Sequence, residues 1–381
     1  MTNDTPKSLV LYVVNSAAFF LSHRLALATA AQDAGYDVHV ATPPGPGVDR
    51  ILDNGFAFHE IPMSRRGAMP HREIRTILAL YKLYKTIRPD LVHHVTIKPV
   101  IYGGIAVRFA SVPITINAVT GTGHVFTDKG WKTSLLRYLL FPALKFSFGH
   151  PACHAIFQNM DDARHFMTTG IVNSTNFSLI RGSGVDMSEF SPHHRPESRP
   201  IVLLAARMLW SKGVGEFVEA ARIVGKGNSD AQFVLAGQTD PGNPAAISDH
   251  QLTKWADEGV VEWWGNRDDM PKVISRSSIV CLPTTYGEGV PKVLIEAAAS
   301  ARPIVATDVP GCRDIVKDGE NGILVPPRDP PKLAQVIEDL LADPDRRNEM
   351  GKKGREIAMS QFALEIVIDQ TLALYRKMLA S

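Results

Sequence analysis

The sequence predicts an α/β protein made of two doubly wound parallel sheets, each in its own domain. Three observations carry this. The chain has 381 residues, more than one hydrophobic core usually supports, so two domains of roughly 150–200 residues are expected. Short β-rich runs alternate with runs of helical period through both halves, as in parallel sheets with crossover helices. The alternation is interrupted by the Pro/His/Arg-rich stretch 191–200, a linker, and then restarts.

Taken in order, Leu9–Val14 is β-rich, 19–34 reads as a helix ending at Gly35, and 37–41 is strand-like again, giving one βαβ unit. Helical spacing covers 74–87 and ends at Arg88-Pro89, because a residue before proline is pushed out of the helical region. Leu91–Val95 and 114–118 are further strands. Beyond the linker, 201–206 is a strand, a helix starts near Val214, and 233–237 is a strand. Strands at Ile279–Leu282 and 303–306 flank a helix over 291–301. Helices follow at 329–342 and 346–362, and Leu364–Leu379 is a last amphipathic helix that packs back on the first domain. The expected division is therefore 1–190, completed by 364–381, and 191–363.

Composition narrows the function classes. With 45% apolar and 21% charged residues the chain reads as a soluble globular protein. A formal charge of +2 gives no global basic field of the kind a nucleic-acid binder shows. The three cysteines, Cys153, Cys281 and Cys312, lack the C-x2-C spacing of a zinc or redox site, which fits a reducing cytoplasm. The apolar run 9–21 is interrupted by Asn15 and Ser16 and lacks a cleavage signal, so export is not expected, and no stretch is long enough to span a bilayer.

The chemistry-bearing residues cluster in the second domain. Arg207 and Lys212 follow a strand directly, at the carboxyl edge where doubly wound sheets bind ligands, and both are placed to grip a diphosphate. Taken alone they read more readily as solvated loop charges, which is what most surface Arg and Lys are. Next, Tyr286-Gly-Glu288-Gly289-Val290-Pro291 opens a helix, with proline expected in the first turn and glycines admitting a ligand to the backbone. That helix start offers free amides to a phosphate. Glu288 lies before the helix and Glu296 about two turns inside it, one carboxylate for sugar hydroxyls and one for ribose, with Lys292 between them. The plainer alternative is that acids simply favour helix starts and exposed helix faces. The apolar neighbours Leu294, Ile295, Ala297 and Ala298 weigh against it.

This Glu-x7-Glu element, with the segments 303–311 and 318–326 after it and Gly184-Val-Asp186 before it, resembles the GT-B retaining glycosyltransferases (glycosyltransferase group 1). The resemblance covers nearly the whole chain. It implies two Rossmann-like domains facing a cleft, with donor contacts from Arg207, Lys212, Glu288, Gly289, Val290, Pro291, Lys292, Glu296 and Gly184. Arg207 and Lys212 are then on the diphosphate, Glu288 on the donor sugar and Glu296 on the ribose. Many members carry a Gly-Gly pair after the first strand and a histidine after the strand at 114–118. This chain instead has Asn15-Ser-Ala-Ala and Ala118-Val-Thr120-Gly-Thr-Gly-His124, so Thr120 or His124 stands in near the sugar.

The runs 19–25 and 93–103 are similar to a subgroup that extends polyprenyl-diphosphate-linked saccharides in bacterial surface-glycan or N-glycan assembly. That resemblance implies a UDP-sugar donor carrying a hexose or N-acetylhexosamine, and acceptor contacts from His23, Arg24 and Lys98, with Arg65 and Arg66 available. A lipid acceptor also implies peripheral contact at the inner face of the plasma membrane, for which 64–84 and Trp131–Phe148, cationic and apolar by turns, are the candidate segments. No metal or other cofactor is expected, since Asp343-Pro-Asp345 reads as a helix-connecting turn and Asp268-Asp269 lacks a D-x-D spacing. A soluble acceptor, or nucleotide-sugar binding without turnover, are the alternatives. An NAD-dependent dehydrogenase is disfavoured because no G-x-G-x-x-G follows the first strand.

Overall fold

The computed structural model describes residues 7–64, 69–121, 131–192, 199–227 and 230–380, apart from the side chains of 131–137 and 139. The chain divides into two compact units, Met1–Ser183 with Glu365–Ser381, and Gly184–Leu364.

The first unit holds β1 (Leu9–Val14), β2 (Asp37–Thr42), β3 (Ala57–Glu60), β4 (Leu91–Val95), β5 (Ile114–Val119), β6 (Cys153–Phe157) and β7 (Phe177–Leu179). They form one parallel sheet in the order β3-β2-β1-β4-β5-β6-β7. The second unit holds β8 (Ile201–Ala205), β9 (Gln232–Ala236), β10 (Glu262–Trp263), β11 (Ile279–Leu282), β12 (Ile304–Thr307) and β13 (Gly322–Val325). Their order is β10-β9-β8-β11-β12-β13, again all parallel. In each sheet the chain winds outward from the centre and then crosses over to wind the other way, so the switch falls between β1 and β4, and between β8 and β11. Both faces of each sheet are covered by helices, which is why the central strands are continuous apolar runs rather than alternating ones.

The strands read from the sequence appear at or within a residue of their expected ends. Two helices differ. The run 19–34 is not one helix but two, Ala17–His23 and Leu25–Asp33, separated at Arg24, whose backbone leaves helical geometry at φ −132° and ψ −12°. The helix expected over 291–301 is shorter, Lys292–Ala299, because Pro291 sits outside it at the N-cap and Ala301 turns left-handed at φ 53°.

The last helix, Leu364–Leu379, contributes Val367, Leu374 and Tyr375 to the same apolar cluster as β1, β2, β4 and β5. Its Tyr375 hydroxyl donates to the Tyr12 hydroxyl at 2.9 Å and lies 2.5 Å from His93 Nδ1. On the other side of the sheet, His94 is fully buried between Asn117 Oδ1 at 2.8 Å and the Tyr84 hydroxyl at 2.9 Å. A Cβ on Gly103 would come within 2.2 Å of His94 Nε2, so glycine is what lets the helix Ile97–Ala110 lie over this imidazole.

Burial holds His94 neutral, pushing its pKa from 6.5 to about 4. The unfolded chain therefore takes up this proton first as pH falls. The stability His94 lends the first unit is complete above pH 6.5 and is lost between there and about pH 4. Denaturant titrations at pH 7 and pH 5 should show the first unit losing about 1–2 kcal/mol to this histidine. His94→Gln, which cannot titrate, should reduce that dependence and leave the part carried by the other buried histidines, His93 and His154.

Candidate active site

The carboxyl ends of β8 and β11 lie side by side at the switch of the second sheet, where doubly wound sheets expose their loops to ligands. The loop after β8 carries Arg207 and ends in a 3-10 turn, Trp210–Lys212, closed by Gly213 at φ 76°. A Cβ at Gly213 would come within 1.9 Å of the Pro283 carbonyl oxygen, so glycine allows this loop to lie against the one after β11. The two backbones are joined further by the Thr285 amide donating to the Ser211 carbonyl at 3.0 Å.

This contact brings Lys212 onto Glu288. The ammonium donates to both carboxylate oxygens, 2.6 Å to Oε2, and each side chain is 13% exposed. Burial alone would lower the lysine pKa, but the Glu288 carboxylate and Tyr286 beside it hold it above its ordinary value. The ammonium also lies 5.8 Å from the centre of the Tyr286 ring. Thr284 Oγ1 is 3.0 Å from Glu288 Oε1, and the Thr284 carbonyl accepts from Thr307 on β12 at 2.5 Å. The carboxylate is therefore fixed from the sheet side as well as by its cation.

Gly289, Val290 and Pro291 run from Glu288 into the helix Lys292–Ala299. Gly311, at φ 84°, has no room for a Cβ, which would fall 1.6 Å from the Gly289 carbonyl oxygen, so the loop after β12 supports this segment from behind. The Leu294 and Ile295 amides donate to the Pro291 carbonyl, at 3.0 and 3.4 Å, and the helix dipole favours an anion at this end. Pro291 does not occupy the first turn as expected; it precedes it. Glu296 is accordingly the fifth residue of the helix, one turn in rather than two. It is 8% exposed and paired with Lys292 at 3.5 Å. Burial raises its pKa against the pull of Lys292. An interior acid on an otherwise apolar helix face does not fit the surface-charge alternative.

Arg207 is half exposed and donates from Nη1 to Asp240 Oδ2 at 2.7 Å. Asp240, three residues past Gly237 in the loop after β9, went unread in the sequence; an acid among Gly, Pro and Asn there looks like turn chemistry. Thr284 as a partner of Glu288, and Tyr286 as a neighbour of Lys212, were also missed, although Tyr286 lies in the motif itself.

The remaining expected residues fall elsewhere. Gly184, at φ 74°, is explained by packing: a Cβ there would meet Leu364 Cα at 2.7 Å. In the first unit, Arg24 is buried rather than exposed on the surface. It is 6% exposed, donates from Nη1 to the His23 carbonyl at 2.8 Å, and sits within electrostatic reach of Tyr12 and Tyr375. The helix break at Arg24 is what turns it inward. His23 stacks on Phe19 with ring centres 4.1 Å apart and bonds Ser22 at 2.6 Å. Lys98 is tied to Glu73 at 3.2 Å and to the Ser64 carbonyl at 2.9 Å. Thr120 lies one residue past β5, half-buried. His124, Arg65 and Arg66 lie outside the described residues. Among the described residues, no group of three or more His, Cys, Asp or Glu is arranged to hold a metal ion.

Two lobes of doubly wound parallel sheet, with paired acids and cations at the switch point of the second, define a GT-B glycosyltransferase. The chain belongs to that class: residues 9–148 match the family model for glycosyl transferase 4-like domains, and residues 199–343 match that for glycosyl transferases group 1. Among curated relatives, it is 27% identical to the N,N'-diacetylbacillosaminyl-diphospho-undecaprenol alpha-1,3-N-acetylgalactosaminyltransferase of Campylobacter jejuni, over 94% of this chain and 98% of that one. It is 24% identical to the UDP-Gal:alpha-D-GlcNAc-diphosphoundecaprenol alpha-1,3-galactosyltransferase of Escherichia coli, over 91% and 90%. Among solved structures it superposes on Anabaena HepE in complex with UDP and glucose with a TM-score of 0.77 at 18% identity, over 96% and 99% of the two chains. That last likeness establishes the fold.

Gly213→Ala should destabilise the second unit by about 3 kcal/mol or more, since it adds both a left-handed alanine and a clash with backbone that cannot yield. Denaturant unfolding followed through the second unit's tryptophans measures this; an unchanged midpoint would show that the loop after β8 can move off Pro283.

Proposed function

We propose that this protein is a metal-independent, retaining glycosyltransferase. It moves a hexose or N-acetylhexosamine from a UDP-sugar to a polyprenyl-diphosphate-linked saccharide, at the inner face of the plasma membrane. The observation that carries the donor half is the Lys212–Glu288 pair beside the start of the helix Lys292–Ala299. Without donor, cation and carboxylate neutralise each other. With donor, the diphosphate takes Lys212, Arg207 and the helix amides, and Glu288 is released to accept from the sugar hydroxyls. The ribose falls to Glu296.

In the reaction the bond between the anomeric carbon and the β-phosphate oxygen breaks while the acceptor oxygen bonds the same carbon. The acceptor's proton passes to the departing phosphate, which leaves as UDP. The charge developing on that phosphate is the largest electrostatic demand, and a fixed ammonium, a guanidinium and oriented amides meet it without a divalent ion. Attack from the face the phosphate leaves retains the α-configuration. Thr120 and His124, following β5, are the first-unit candidates near the sugar, and His23 and Lys98 those near the acceptor.

The acceptor half rests on the relatives at full length, whose names specify diphospho-undecaprenol acceptors. The surface of the first unit is consistent with it. The helix Pro70–Ile87 buries Thr76, Leu80 and Tyr84 and leaves Ile74 and Leu78 more than half exposed among Arg75, Lys82 and Lys85. Apolar side chains set among cations on one face suit an anionic bilayer surface. No helix among the described residues is long and apolar enough to cross a membrane.

A nucleotide-sugar panel with a membrane lipid extract, read by mass spectrometry, should yield a glycolipid one sugar longer, in the presence of EDTA. Loss of transfer with EDTA would remove the metal-independent assignment. Glu288→Gln and Lys212→Ala should each lower kcat/KM by about a hundredfold or more, measured on protein checked to be folded because each also removes a partner from the buried ion pair; near-normal turnover in either folded variant would overturn the donor site. The wild type should float with anionic vesicles, and the double substitution Ile74→Ser, Leu78→Ser should abolish flotation. Wild-type protein that stays with the pellet, together with transfer to a water-soluble acceptor, would select the soluble-acceptor alternative.

A further inference from the structure

Trp210 is the residue the transfer reaction does not explain. Its neighbour Lys212 points to Glu288, but the indole turns to the other side of the 3-10 turn and is 48% exposed. Among the described residues of the second unit it is the exposed large aromatic. It is also held firmly. Its ring covers Gly215, where a Cβ would lie 2.8 Å from Cζ3, and it meets buried Trp255 edge-on, with ring centres 5.8 Å apart at 86°. Its amide donates to the Ala245 carbonyl at 2.8 Å. An apolar ring kept in one orientation with half its surface in water costs stability that burial elsewhere would recover.

The open indole forms the floor of a shallow hollow of about 370 Å³, walled by Glu216, Arg222 and Arg328. That volume admits one or two pyranose rings. Arg222 is oriented by Glu219 and Glu258, the latter at 2.7 Å. Glu216 and Arg328 have no ion-pair partner among the described residues, so an acceptor and a donor of hydrogen bonds stand on the rim uncommitted. The negative face of an aromatic ring attracts the weakly positive C–H groups on the face of a pyranose. A carboxylate and guanidinium at the edge suit its hydroxyls. A phosphate fits worse, because Glu216, Glu219 and Glu258 offset the two arginines.

We propose that this hollow is a second saccharide-binding site, distinct from the donor site, that takes a neutral pyranose unit of a glycan against Trp210. It deepens the glycosyltransferase reading, but binding here requires no turnover and no nucleotide.

The full-length protein is titrated with maltotriose and, separately, with triacetylchitotriose, following tryptophan emission and saturation transfer from indole protons to the sugar. At least one should bind saturably. Trp210→Ala should weaken that binding by about tenfold or more, and Trp210→Phe, which keeps a ring, should retain it within about threefold. Arg328→Gly, which removes the guanidinium from a left-handed position at φ 62°, should also weaken it. Glu288→Gln, and saturation with UDP, should leave it unchanged. No saturable binding of either sugar, binding indifferent to Trp210→Ala, binding displaced by UDP, or saturable binding of inorganic phosphate in their place would each overturn the assignment. Failure of the transfer assay would leave these readings intact, so the two proposals fall separately.

Discussion

The Lys212–Glu288 ion pair is the interaction on which the second unit's switch point depends. It links the loops after its two central strands, and both partners are largely withdrawn from water, where breaking one side leaves an uncompensated charge. Everything around it serves that placement. Gly213 lets one loop approach Pro283, Gly311 lets another support Gly289, and Thr284 ties the carboxylate to the sheet. A donor diphosphate, with more negative charge and more acceptor oxygens than one carboxylate, is an apt competitor for the ammonium.

Much of this was legible in the sequence, for physical reasons that differ by element. Strands such as Leu9–Val14 and Ile201–Ala205 were readable because sheets covered on both faces demand unbroken apolar runs. The strands β3, β6, β7, β10 and β13 were not read; runs of two to five residues carry little period of their own. The Glu288 loop announced itself through glycine and proline, whose backbone roles are nearly unique. Asp240 did not, because its partner Arg207 lies 33 residues earlier and only the fold brings them together. The burial of Arg24 was not legible for a similar reason: only the helix break, which the local sequence does not announce, shows this cation turned inward.

The first unit shows how histidines serve a core. His93 and His94 lie in adjacent positions on one strand and so face opposite sides of the sheet, one toward Tyr375 and the other toward Asn117 and Tyr84. Both are kept neutral by burial. Their neighbourhood includes Gly103, where a Cβ would meet both His94 and the Tyr84 hydroxyl, so the histidine and the glycine of the run 93–103 share one packing arrangement with Tyr84.

Tyr375 and the helix that bears it also order events during synthesis. The sheet of the first unit leaves the ribosome early, but Val367, Leu374 and Tyr375, which cover Tyr12 and its neighbours, follow some 180 residues of the second unit. Until then the nascent first sheet has one apolar face incompletely covered and a buried hydroxyl chain missing its central member. The second unit is contiguous in sequence and can close on its own. The half of the protein translated first is therefore the half finished last, and it must remain guarded against aggregation while its neighbour folds.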